Sequence, residues 1–99
     1  MLIKLGVDIS RLKPPIRKKL TAIGKIFTKN WQEAVISSTY EGDHGDNSLH
    51  YADLAIDFRM TGCPFTRSMD IADELGKLLG INYDIVLKPI YIHIEYDPK

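Results

Sequence analysis

The sequence predicts an α+β domain: a small antiparallel sheet with two helices. Three observations lead there. Ile16, Leu20, Ile23 and Phe27 recur at spacings of four, three and four, which is one apolar face of a helix. Leu54, Ile56 and Phe58, and later Ile90, Ile92 and Ile94, alternate with polar residues, the period of a half-buried strand. The chain has 99 residues, 44% of them apolar, enough for one modest core and therefore one domain over 1–99.

The elements follow in order. Leu2 to Val7 is a short apolar stretch that reads as an edge strand. Lys13-Pro14-Pro15 interrupts it, and proline suits a first helical turn. The first helix then runs to about Lys29-Asn30. Ala34 to Thr39 is rich in β-branched residues and predicts a strand. Glu41 to Asn47 is a glycine- and aspartate-rich loop. The alternation around Ile56 gives the next strand, and Gly62-Cys63-Pro64 ends it. Thr66 or Ser68 caps a second helix carrying Ile71, Ala72, Leu75, Leu78 and Leu79, with Gly80 as its stop. Two strands, Tyr83 to Lys88 and Ile90 to Tyr96, close the chain around a Lys88-Pro89 turn.

Composition narrows the function classes. Thirteen basic and thirteen acidic residues balance to zero formal charge, which argues against nucleic acid as a partner. The early basic residues Arg11, Lys13, Arg17, Lys18, Lys19, Lys25 and Lys29 read as a solvated helix face. Cys63 is the single cysteine, so no internal disulfide forms and a reducing compartment is expected. Met1 to Val7 is too short and interrupted for a signal peptide, and no run approaches the ~18 apolar residues of a membrane span. A cytoplasmic protein, monomeric or a small homo-oligomer, is the expectation.

The residues that carry chemistry are split. His50 and Asp57 stand seven apart, and His93 lies on the last strand. On that strand Ile92 and Ile94 point inward, and His93 and Glu95 point to the other face. Asp57 and Arg59 hold the matching face of the earlier strand. If the two strands are neighbours, Asp57 and His93 converge, with His50 close by. Three such ligands leave a tetrahedral zinc one open position. The competing reading is a set of ordinary polar residues on a half-exposed sheet.

The segment Ser48-Leu49-His50-Tyr51-Ala52-Asp53-Leu54-Ala55-Ile56-Asp57 resembles the S-x-H-x-x-G-x-A-x-D motif of zinc D-Ala-D-Ala metallopeptidases. That family includes D,D-carboxypeptidases, dipeptidases and phage endolysins, and shares its fold with the Hedgehog signalling domain. Ile92 to Lys99 is similar to the C-terminus of its small phage-type members, and the resemblance spans about Val35 to Lys99. It implies a Hedgehog/D,D-peptidase-like zinc domain, with His50, Asp57 and His93 as zinc ligands, peptidoglycan peptides as substrate and a phage or bacterial origin.

The chain also departs from the pattern. The motif glycine is Asp53. The acidic base expected three positions before the last histidine is Ile90. The arginine that pairs with a substrate carboxylate is replaced by Tyr40. Glu95 is the candidate substitute base, with an orienting or surface carboxylate as the alternative. Tyr40, His44 and Arg59 would line the substrate side, and Ser48 and Asp53 would support the ligands from behind. Three readings follow: a small zinc peptidase with weak or lost activity, a non-catalytic zinc-bearing binding protein taking a peptide or other small ligand, or an interaction module without metal.

Overall fold

The computed structural model describes residues 1–40 and 52–99. The chain order is β1 (Leu2–Ile3), α1 (Pro14–Arg17), α2 (Leu20–Lys29), β2 (Val35–Ser38), β3 (Ala55–Arg59), α3 (Phe65–Leu79), β4 (Tyr83–Leu87) and β5 (Tyr91–Tyr96). The strands form one five-stranded sheet in the order β1-β2-β3-β5-β4. All neighbours are antiparallel except β1 and β2, which are parallel. The sheet is therefore mixed rather than purely antiparallel. The two-residue β1 reaches its place through the long excursion of α1 and α2, as a parallel pairing requires.

The helices lie over one face of the sheet because alternate strand residues are apolar. Ile56, Phe58, Ile92 and Ile94 are fully buried in one cluster with Ile16, Ile23, Phe27, Ile71 and Leu75. The Phe27 and Phe58 rings sit 5.1 Å apart between centroids, joining α2 to β3. The first helix differs from expectation. It breaks into α1 and α2 at a turn over Lys18 and Lys19, yet Ile16, Ile23 and Phe27 still share the buried side.

α3 also begins earlier than predicted. Pro64, extended at φ −56° and ψ 141°, precedes the first turn, and Ser68 is buried within the helix rather than capping it. The Ser68 amide already donates to the Pro64 carbonyl at 3.0 Å. Gly80, at φ 83°, ends the helix as expected. Among the described residues no helix is long and apolar enough to cross a membrane.

Candidate metal centre

The face of the sheet away from the core cluster is polar. Across β3 and β5, Asp57 stands opposite His93, Ala55 opposite Glu95, and Arg59 opposite Tyr91. One strand further, Val86 of β4 pairs with His93 and Asp84 with Glu95. On the other side Ser38 of β2 pairs with Asp57 across a register shift. The predicted meeting of Asp57 and His93 is thus a cross-strand pair at the centre of the sheet, where the backbone is held on both sides.

The side chains meet closely. His93 Nδ1 lies 2.8 Å from Asp57 Oδ1, and His93 Nε2 lies 2.8 Å from Glu95 Oε1. A neutral imidazole has one N–H, so donation to both carboxylates requires the imidazolium. Burial, the largest single influence, pulls the His93 pKa down. The hydrogen bonds and charges of Asp57 and Glu95 together outweigh it, and the net shift is upward from 6.5. Asp57 is 8% exposed, a low value for a carboxylate, and the imidazolium is its counter-charge.

The donor set suits a zinc ion. Imidazole nitrogen and carboxylate oxygen are both ordinary zinc ligands, and Nδ1 and Oδ1 at 2.8 Å can share one ion with bonds of about 2 Å after a small shift. Glu95 then keeps the far ring nitrogen, the arrangement in which an outer carboxylate fixes the tautomer and plane of a ligating histidine. His50, the third expected ligand, lies outside the described residues, as do His44 and Ser48.

Other predicted residues are placed away from this pair. Asp53 sits in the left-handed region at φ 62°. Its contacts are with Arg11, at 3.4 Å both from Nε to Oδ1 and from Nη2 to Oδ2. The Arg11 guanidinium lies over the Tyr40 ring, 4.1 Å from its centroid. The Tyr40 hydroxyl donates to Asp8 Oδ2 at 3.0 Å. That bond raises the tyrosine pKa, and Asp8 is held low, first by the Ser10 amide. The guanidinium beside Tyr40 comes from the N-terminal segment and is tied to Asp53. Arg59 is exposed beyond Asp57 on the same face, and Ile90 is 61% exposed.

A second group escaped the sequence reading. Carboxylate oxygens of Asp84, Glu95 and Asp97 lie within 4.8 Å of one another, a group that could hold a metal ion. The Lys99 ammonium already stands 3.0 Å from Asp84 and 3.6 Å from Asp97. Glu95 and Asp97 are two apart on one strand face, a visible signal, but the Asp84 partner depends on the β4–β5 register. All-oxygen ligands suit magnesium or calcium better than zinc.

Comparison with protein-family models, with curated proteins and with solved structures returned no match to the chain.

Proposed function

We propose that this chain is a zinc-binding domain of the D-Ala-D-Ala metallopeptidase type, with the Hedgehog/D,D-peptidase fold, acting on D-Ala-containing peptidoglycan peptides. His50, Asp57 and His93 would hold the zinc. The observation that carries the reading is the Asp57–His93 pair, 2.8 Å apart at the centre of the sheet, with Glu95 on the far ring nitrogen. Asp53 adds support. Its φ of 62° is a conformation that glycine adopts freely, and it occupies the place of the motif glycine.

When bound, zinc supplies polarisation of a carbonyl and acidification of water. The chain's own residues position that chemistry. β3 and β5 fix Asp57 and His93 through their backbone pairing, and Glu95 holds the imidazole plane. The domain works in the cytoplasm of a bacterial or phage-infected cell as a monomer or small homo-oligomer.

A second reading, a zinc-bearing binding protein without turnover, is favoured by two observations. The position three before His93 is the apolar Ile90, and Glu95, beside His93 on the same strand face, is engaged with Nε2. Release of D-alanine from N-acetyl-D-alanyl-D-alanine by zinc-loaded protein separates the two. The peptidase reading expects slow release, raised in Ile90→Glu because a carboxylate near the reacting water adds about 10²–10⁴-fold. Zinc-loaded protein that releases nothing in either form supports the binding protein.

A further inference from the structure

A hollow lies beside the Asp57–His93 pair. A cleft of about 350 Å³ lies between the β1–β2 edge and the end of β3, and its walls include Lys4, Ser38, Asp57, Arg59, Ile90 and Tyr91. Its volume is at the lower end for small-molecule sites. Lys4 follows β1 directly, and its amide donates to the Ile36 carbonyl at 2.9 Å, so its backbone is fixed against β2. Arg59 is the last residue of β3, held opposite Tyr91. The frame of the cleft is therefore sheet on both sides.

Its charge is what distinguishes it. Two cations enter one cleft, and among the described residues neither the Lys4 ammonium nor the Arg59 guanidinium makes a hydrogen bond or ion pair. Four other cations, Arg11, Lys29, Lys77 and Lys99, each face a carboxylate. Asp57 does line the cleft, but its Oδ1 is turned to His93. Two like charges converging on one hollow repel each other, and an anion between them removes that repulsion. Tyr91 and Ile90 add an apolar wall next to the charge.

We propose that this cleft is an oxyanion subsite, taking the carboxylate or phosphate group of a ligand between Arg59 and Lys4. Arg59 offers a planar pair of N–H donors that matches either group bidentately, and Lys4 adds a point charge. The ligand carbons next to the anion pack on Tyr91 and Ile90 and lead toward Asp57 and His93. The site needs no metal, so its test runs on metal-free protein and leaves the zinc reading to a separate experiment.

The test is an NMR titration of chelator-treated protein at constant ionic strength with N-acetyl-D-alanyl-D-alanine, its C-terminal amide and inorganic phosphate. The acid is expected to shift the Ser38, Arg59 and Tyr91 resonances saturably, and the neutral amide is not. Arg59→Gln and Lys4→Gln should each weaken the acid by about 10- to 100-fold, the worth of one charge-assisted hydrogen bond. Arg59→Lys should recover only part of the loss. Both side chains are exposed, and well-dispersed amide spectra show that the variants fold. Phosphate binding more tightly than the acid supports the subsite and assigns it to a phosphate-bearing ligand. Equal binding of acid and amide, unchanged affinity in both glutamine variants, or no saturable shift with either anion overturns it.

Discussion

β3 and β5 build two different surfaces from alternate residues of the same stretch of sheet. On the helix side Ile56, Phe58, Ile92 and Ile94 are wholly buried against α2 and α3. On the other side Asp57, His93 and Glu95 form a hydrogen-bonded row, and Arg59 ends it in solvent. The apolar side needs only volume and shape, so many residues carry it jointly. The polar side depends on specific partners at specific atoms. Removing one apolar residue should therefore lower stability, whereas removing one polar residue should change binding and pH response more than stability.

The largest effect is expected on the helix side. Phe58→Ala removes a fully buried ring that packs on Phe27 and leaves a cavity, at a cost of about 3–5 kcal/mol. That is a large part of the ~5–15 kcal/mol typical of a domain. Urea titration reads it as a lowered midpoint at unchanged slope. A loss under about 1 kcal/mol would mean the two faces are not divided as described.

His93→Ala should cost less, about 1–3 kcal/mol in metal-free protein, because it takes a hydrogen-bonding counter-charge from the buried Asp57. The pH response then sharpens the contrast. His93 has a folded-state pKa above its ordinary 6.5. Its contribution to stability is therefore complete below pH 6.5 and is lost as pH rises through the raised value. Thermal midpoints of metal-free protein should fall over that window relative to His93→Ala, and parallel curves would remove the imidazolium from the account. Zinc reverses the sign, since the metal displaces a proton and binds more tightly as pH rises.

The smallest effect is expected at Asp53. A non-glycine residue in the left-handed region is strained by about 1–2 kcal/mol, less for aspartate. Asp53→Gly relieves that strain and loses a partly exposed ion pair with Arg11, itself worth about 0–1 kcal/mol. The two nearly cancel, and the thermal midpoint should move little. Asp53→Ala keeps the strain and loses the pair, so it should be the less stable of the two. The opposite order would deny the backbone a reason for glycine there.

Much of this contrast was legible in the chain. Period-two alternation placed Ile92 and Ile94 on one face and His93 and Glu95 on the other, and it paired Asp57 with His93 once the strands were taken as neighbours. Leu2 to Val7 reads as an edge strand, but its parallel pairing and two-residue length were not legible, because so short a strand carries no period. The break at Lys18 and Lys19 was hidden because Ile16, Leu20, Ile23 and Phe27 keep helical spacing across it. Arg11 on Tyr40 and Asp53, and Asp84 beside Glu95, are contacts between distant segments that no local pattern announces. Lys4 and Arg59 are 55 positions apart and meet only because β1 and β3 both flank β2.

The proposed zinc site on Asp57 and His93 is read most directly from the metal content of protein purified without an affinity tag, equilibrated with zinc and freed of excess, compared with His93→Ala. One zinc per chain is expected in the parent and none in the variant. A parent that retains no zinc, or a folded variant that retains as much as the parent, would contradict it.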